Sequence, residues 1–202
     1  QGTHIIEMSL EEVVPYIDWN PFFQTWELRG RYPNRGYPKI FNDAAVGEEA
    51  KKLHNDALVM LNDIIAGKKL RLKGIVGLLP ANTKGTEDVE VYTDDTRTEV
   101  AATFCMLRQQ AEKEEGAGAY LSQADFIAPK ETGCADYLGM FAVSCFGCDE
   151  QVKVHEDNND DYSKIMVQAL GDRLVEAFAE YVHREMRLKL WGYAEDEDMS
   201  TE

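Results

Sequence analysis

Two acidic residues stand beside large apolar side chains, where a carboxylate could bind a positively charged ligand. Asp18 lies between Ile17 and Trp19, so we expect its side chain to be partly buried and to need hydrogen-bond donors or a cation. Glu176 lies close to Phe178 in the middle of an amphipathic segment. Two carboxylates beside aromatic surface suit a cationic ligand. The structural alternative is an ion pair with one of three arginines: Arg29, Arg31 or Arg173.

A pair of cysteines has the spacing that redox and zinc sites use. Cys145 and Cys148 form a C-x-x-C motif. A structural zinc site needs a second pair of Cys or His ligands, and only His155 is close in sequence. We therefore expect a pair of buried or loop thiols here rather than a metal site.

The usual motifs of a self-contained enzyme site are absent from the sequence. Lys84 precedes Gly85 instead of following it, so no Walker phosphate-binding loop is formed. The four histidines include no i, i+4 metal pair, and His183 is expected to be a surface or capping residue rather than a general base. Neither Ser144 nor Ser163 lies in a nucleophile-elbow motif. These residues alone indicate an acidic α+β protein without a visible catalytic site.

Length and charge limit the class of protein. The chain has 202 residues, enough for one large domain or two small ones, and a formal net charge of −16. Nucleic acids and anionic membranes attract basic surfaces, so neither is expected as a partner. No apolar run approaches the length of a membrane span. The four cysteines are expected to be free thiols in the cytoplasm.

Residues 160–193 are predicted to form one long amphipathic helix. Asp160 and Asp161 suit its N-terminal end, where N–H groups are exposed and the helix dipole is positive. Gly192 suits its C-terminal end, and Gly171 is the only earlier glycine. The apolar stripe, with a spacing of three to four residues, consists of Met166, Leu170, Leu174, Ala177, Tyr181 and Leu188.

The other predicted elements run from helices to strands. Ser9 and Glu12 have the spacing of a capping box, at the start of a short helix that Pro15 ends or kinks. Further helices are predicted at residues 21–28 and 46–66, and strands at residues 72–80, 89–92, 100–107 and 137–146. Residues 1–8 and the acidic link 156–161 are expected to be irregular. This order predicts an α+β fold, a twisted and mostly antiparallel sheet covered by helices, with a long C-terminal amphipathic helix.

Five long segments carry a more specific signal than any short motif. They are YIDWNPFFQTWELRGRYP, KGIVGLLPAN, TFCMLRQQAEK, ADFIAPKETGCADYLGMFAV and DDYSKIMVQALGDRLVEAFAEYVHREMRLKLWGYA. In sequence and in order they resemble the reactivation domain of cobalamin-dependent methionine synthase. The resemblance covers nearly all of residues 9–202.

The resemblance implies an α+β domain that binds S-adenosylmethionine and positions it over cobalamin held by a separate domain of the same cytoplasmic methyltransferase. That enzyme transfers a methyl group from 5-methyltetrahydrofolate to homocysteine. When its cobalamin is oxidised to cob(II)alamin, reduction by flavodoxin or a related reductase and a methyl group from S-adenosylmethionine restore it. This chain alone would not be catalytic.

The resemblance also assigns two ligand contacts. The acidic residues of the family's Ile-Asp-Trp and Arg-Leu-x-Glu-Ala-Phe stretches correspond to Asp18 and Glu176. The α-ammonium and sulfonium groups of S-adenosylmethionine give a physical reason for carboxylates at both positions.

The sequence departs from the family after the long helix. An Arg-x-x-x-Gly-Tyr-Pro segment of the family supplies further ligand contacts, and the chain ends at Glu202 before it. We therefore expect residues 1–202 to be the N-terminal and central part of the reactivation domain. Alone, they are expected to bind S-adenosylmethionine weakly or not at all.

Two other functions remain open at this point. The chain could be a docking module for a cobalamin domain or flavodoxin without a ligand of its own, or a scaffold of unrelated function. Flavodoxins are acidic, so docking requires a local basic patch on this acidic chain. The nearest candidates are Arg29, Arg31, Arg35 and Lys39. Solvated loop charges are the alternative for these four residues.

Overall fold

A computed structural model describes residues 2–114 and 116–197 of the chain. The described residues fall into two compact units. The first unit contains those within 1–5 and 75–142, and the second contains those within 6–74 and 143–202.

Five strands form one open sheet. They are β1 (Gly2–Met8), β2 (Arg71–Lys84), β3 (Asp88–Tyr92), β4 (Val100–Cys105) and β5 (Asp136–Phe146). The order is β1-β2-β3-β4, and β5 also pairs with β2. Strand β3 is antiparallel to both β2 and β4, with Val89 opposite Thr83 on one side and Phe104 on the other. The predicted α+β class, with a mostly antiparallel sheet and a long C-terminal helix, is confirmed.

The first unit has a small apolar core of its own. Its buried members are Ala81, Val89, Val91, Ala124 and Ile127. Two short 3₁₀ helices, Gln123–Phe126 and Lys130–Thr132, follow the β4 strand. The hydroxyl of Thr83 donates a hydrogen bond of 2.8 Å to the carbonyl of Ala124, which satisfies a buried polar group inside this core.

The second unit contains the α-helices. They are α1 (Leu10–Val13), α2 (Asn20–Thr25), α3 (Gly47–Ala66), α4 (Cys148–Asp157) and α5 (Asp161–Glu185). Two 3₁₀ turns lie at Val14–Tyr16 and Lys39–Asn42, and a π-helical turn, Met186–Leu190, follows α5.

The N-terminal capping residues predicted at Ser9 and Asp160 are confirmed. Ser9 Oγ accepts a hydrogen bond from the N–H of Glu12, and the Glu12 carboxylate accepts one from the N–H of Ser9. Helix α1 ends at Val13, and Pro15 lies in the 3₁₀ turn that follows. Asp160 caps α5, and the hydrogen bond from the Ser163 N–H lowers the pKa of the Asp160 carboxyl.

The long helix follows the prediction over most of its length. Met166, Leu170, Leu174 and Ala177 are buried as expected. The prediction that the helix continues unchanged to residue 193 is wrong, since α5 ends at Glu185. In the π-helical turn the N–H of Trp191 bonds the carbonyl of Met186, five residues back. Apolar spacing alone does not distinguish this ladder from an α-helical one.

The structure contains a strand, β1, and a helix, α4, that the sequence did not predict. Residues 1–8, expected to be irregular, contain strand β1, whose backbone is satisfied by pairing with β2. Helix α4 is absent from the prediction because Gly147 indicates the end of a strand and the segment after it has few apolar residues. Gly147 caps the helix with a φ of 97°, and α4 packs along α5, which supplies the stabilisation that local sequence lacks.

Gly171 lies where α5 meets α4, and the sulfur of Cys148 occupies the place of a side chain. A Cβ at residue 171 would lie 2.6 Å from Cys148 Sγ. We expect Gly171→Ala to destabilise the chain by about 1 kcal/mol, because this overpacking exceeds the gain in helix propensity. In a Cys148→Ala background the same change should stabilise it by about 0.5–1 kcal/mol. Urea unfolding of the parent, the two single variants and the double variant measures this reversal. Equal effects of Gly171→Ala in both backgrounds would contradict a close contact between residue 171 and Cys148 Sγ.

Candidate functional site

Asp18 lies in the irregular segment between the 3₁₀ turn Val14–Tyr16 and helix α2. Its Oδ1 accepts hydrogen bonds from the backbone N–H of Asn20 at 2.9 Å and from the Asn20 amide at 2.8 Å. Asn20 Oδ1 in turn accepts the N–H of Tyr37 at 2.7 Å. One oxygen of Asp18 thus fixes the start of α2. Within residues 2–114 and 116–197, no hydrogen bond reaches the other oxygen, Oδ2.

The expectation that Asp18 is partly buried is wrong, because its side chain is exposed. Ile17 and Trp19 turn inward and are only 9% and 7% exposed, which directs the residue between them towards solvent. The described part of the chain also shows no ion pair between Asp18 and Arg29 or Arg31. The carboxylate is therefore accessible to a ligand from outside.

Glu176 lies on the exposed side of α5, between the buried residues Leu174 and Ala177. Among the residues that the structure describes, it forms no ion pair, with Arg173 or with any other cation. Like Asp18, it presents a carboxylate to solvent without a cationic partner in the described ranges.

Both candidate carboxylates belong to the second unit and stand on elements that pack together. The ring of Tyr16 meets that of Tyr181 edge-on, with centroids 5.8 Å apart. Tyr16 lies two residues before Asp18, and Tyr181 lies five residues after Glu176, about 7.5 Å along the helix and about 140° around it. The structure therefore brings the segment that carries Asp18 against α5, about one and a half turns from Glu176.

An aromatic cluster lies beneath this segment, with His54 of α3 at its centre. The His54 ring lies 4.5 Å from Trp19 and 5.4 Å from both Tyr37 and Phe41. Burial lowers the pKa of His54, so its ring is neutral at pH 7, and its Nε2 has no hydrogen-bond partner among the described residues. The aromatic residues connect the loop before α3 to the core. The sequence does not predict that His54 lies among these aromatic rings. Its position directly after Leu53, a residue of the apolar face of α3, is the only indication of burial.

The four basic residues considered for docking are all exposed. They are Arg29, Arg31, Arg35 and Lys39. Within the described ranges none of them forms an ion pair with an acidic residue. Arg29 and Arg35 line a small cavity of about 210 Å³ together with Asn20, the hydrogen-bond partner of Asp18. The basic loop thus borders the segment that presents Asp18.

The C-x-x-C cysteines come together, but without the ligands of a metal site. Cys145 and Cys148 Sγ lie 3.7 Å apart. The described residues contain no group of three or more His, Cys, Asp or Glu side chains that could hold a metal ion. No helix in the described ranges is both long enough and apolar enough to cross a membrane.

The sequence model of one protein family, the vitamin B12 dependent methionine synthase activation domain, matches residues 9–202. The chain therefore belongs to the family of methionine synthase activation domains.

The chain is also similar to a protein of known structure. The chain is similar to the MetH reactivation domain, whose crystal structure was determined bound to AdoHcy, with 48% sequence identity and a TM-score of 0.91. The match covers 99% of this chain and 59% of that chain. The chain thus spans about three fifths of the length of the relative.

Proposed function

We propose that this chain contributes to an S-adenosylmethionine site in a cobalamin-dependent methionine synthase. The observation that carries the proposal is the relative at 48% identity whose structure contains AdoHcy. AdoHcy is what remains of S-adenosylmethionine when its methyl group has been transferred. Asp18 and Glu176 suit such a ligand, since both carboxylates are exposed and can pair with its α-ammonium and sulfonium groups.

The role of these residues follows from charge. S-adenosylmethionine binds as a cation at its reacting end, so carboxylates stabilise the bound form and fix the direction in which the methyl group points. Cobalamin, held by a separate domain, would supply the cobalt that carries the methyl group, and this domain would support its reductive remethylation from cob(II)alamin, with the electron from flavodoxin or a related reductase. The whole enzyme transfers methyl from 5-methyltetrahydrofolate to homocysteine.

The proposal includes the extent of the domain and its setting. We propose that residues 1–202 are the N-terminal and central part of the reactivation domain, and the match to 59% of the relative agrees with a partial domain. The protein works in the cytoplasm, a setting that suits a chain with four free cysteines.

Calorimetric titration tests the ligand. S-adenosylmethionine is titrated into the 202-residue chain and into a longer form that continues through the family's Arg-x-x-x-Gly-Tyr-Pro segment. Saturable binding to the longer form, with AdoHcy as a competitor, is expected. If neither form binds, the ligand role is wrong and the docking module becomes the better explanation.

The partners proposed for this domain are the cobalamin domain of the same enzyme and flavodoxin or a related reductase. The exposed basic loop supports the second partner, because an acidic reductase needs a positive surface on a chain with a net charge of −16. We expect a full-length enzyme with Arg29→Glu and Arg31→Glu to couple to the reductase about tenfold more slowly at low salt.

A matched control separates this local effect from the change in net charge. Lys52→Glu and Lys68→Glu alter the charge equally at exposed positions of the same unit. If both pairs slow reductase coupling equally, or if neither pair does, the basic loop is not the docking site.

A further inference from the structure

The turn between β5 and α4 brings two thiols together. Cys145 is the last but one residue of β5, and Cys148 is the first residue of α4. Gly147 between them has a φ of 97°, and a Cβ there would lie 2.4 Å from the carbonyl oxygen of Lys69. Only glycine fits this turn without strain. The turn holds the two Sγ atoms 3.7 Å apart, and closure to about 2 Å would form a disulfide bond.

The two thiols are accessible from a cavity. Both are partly exposed, and both line a cavity of about 630 Å³ in the second unit. Its polar lining includes Ser144, Asp149, Gln168 and Asp172. A cavity of this volume admits a small peptide-like disulfide reagent.

The environments of the two sulfurs differ. Cys148 stands at the N-terminal end of a ten-residue helix, and its hydrogen bond with Cys145 lowers the pKa of Cys148. The same hydrogen bond and burial raise the pKa of Cys145. Three acidic side chains oppose the thiolate of Cys148: Asp149, Glu150 and Asp172. The helix N-terminus and the hydrogen bond with Cys145 outweigh these acidic side chains. Cys148 is therefore the attacking sulfur, and Cys145 is the resolving one.

We propose that Cys145 and Cys148 are a redox-active dithiol, which a small external disulfide of the glutathione type converts into an intramolecular disulfide. The Cys148 thiolate attacks one sulfur of the reagent, forms a mixed disulfide and releases one thiolate. Cys145 then loses its proton to solvent and attacks Cys148 Sγ, which expels the second thiolate. Two protein thiols are oxidised, and one disulfide is reduced to two thiols.

This site is separate from the proposed ligand site. Neither cysteine contacts Asp18 or Glu176 in the described structure, and a failure of S-adenosylmethionine binding would leave the dithiol untouched. Oxidation would act on the junction between α4 and α5, since Cys148 Sγ fills the space beside Gly171.

The test is thiol mapping by mass spectrometry. The chain is incubated with oxidised glutathione, quenched with acid, labelled with a maleimide and digested. We expect residues 145–148 to lose two hydrogen atoms and to carry neither glutathione nor label. In Cys145→Ser, glutathione should stay attached to Cys148. In Cys148→Ser, glutathione should attach to Cys145 at least about tenfold more slowly.

Cys105 and Cys134 provide the internal control, because both are exposed and neither lies near another cysteine sulfur among the described residues. The double variant Cys105→Ser, Cys134→Ser should oxidise at residues 145–148 as the parent does. If Cys145 and Cys148 stay reduced while Cys105 and Cys134 react, the proposal is wrong. Stable glutathione on Cys148 of the parent chain also overturns it. Thiol mapping of the parent chain tests disulfide formation between Cys145 and Cys148 even if a serine variant does not fold.

Discussion

Replacement of Asp18 by Asn should weaken S-adenosylmethionine binding by about 10- to 100-fold, because a hydrogen bond to a charged group is worth about 1.5–3 kcal/mol. The variant keeps an oxygen for the two hydrogen bonds from Asn20, so the start of α2 should be preserved. Calorimetry on the longer form measures the change, and circular dichroism checks that the helices are retained.

Asp161→Asn is the matched control for that experiment. Asp161 is exposed at the first residue of α5, about 22 Å along the helix from Glu176, and its replacement removes the same charge as Asp18→Asn. The affinity of this variant should stay within about twofold of the parent, because an exposed charge at that distance contributes little. If Asp18→Asn and Asp161→Asn weaken binding equally, Asp18 acts only through net charge and is not a ligand contact.

The second large effect concerns stability and comes from Glu90 in the first unit. This residue is 4% exposed, and two lysines hold its carboxylate: Lys130 Nζ at 2.6 Å and Lys84 Nζ at 2.8 Å. The hydroxyl of Tyr92 adds a third hydrogen bond at 3.3 Å. These lysine hydrogen bonds lower the pKa of Glu90 to about 2, against an ordinary value of 4.5.

Glu90→Gln should lower the free energy of unfolding at neutral pH by about 2 kcal/mol, since two charge-assisted hydrogen bonds are lost but the lysines remain partly solvated. The folded state holds the carboxylate ionised, so its contribution is complete above pH 4.5 and is lost as the pH falls towards 2. The difference in stability between parent and variant should shrink over that range. Denaturant unfolding from pH 7 to pH 2.5 measures it.

Glu131→Gln gives the control for this pH series. Glu131 follows Lys130 directly but is exposed, so its replacement should change the free energy of unfolding by less than about 0.5 kcal/mol at every pH. A pH-independent difference between the parent and Glu90→Gln would contradict the ion-pair assignment.

Local patterns predicted α3 and the starts of α1 and α5, while α4 was not predicted, α2 spans Asn20–Thr25 instead of the expected 21–28, and α5 ends at Glu185. The capping box at Ser9, the cap at Asp160 and the buried stripe through Leu170 depend on contacts within a few residues. Helix α3 was expected at 46–66 and spans Gly47–Ala66. The family and its fold also followed from the sequence, because long runs of side chains are more specific than any short motif.

The parts that were missed depend on distant residues. Strand β1 exists through its pairing with β2, more than sixty residues away, and α4 through its packing on α5. The buried ion pair of Glu90 could not be predicted from local sequence, because its partner Lys130 lies 40 residues further along the chain. The exposure of Asp18 was misjudged for the same kind of reason, since the burial of Ile17 and Trp19 decides which way the residue between them points.

The central claim is that Asp18 and Glu176 face one ligand, and a crystal structure of the longer form with S-adenosylmethionine tests it most directly. We expect a carboxylate oxygen of Asp18 within about 3 Å of the α-ammonium or a hydroxyl of the ligand, and Glu176 in the same groove. A ligand bound at full occupancy away from both carboxylates would contradict the claim.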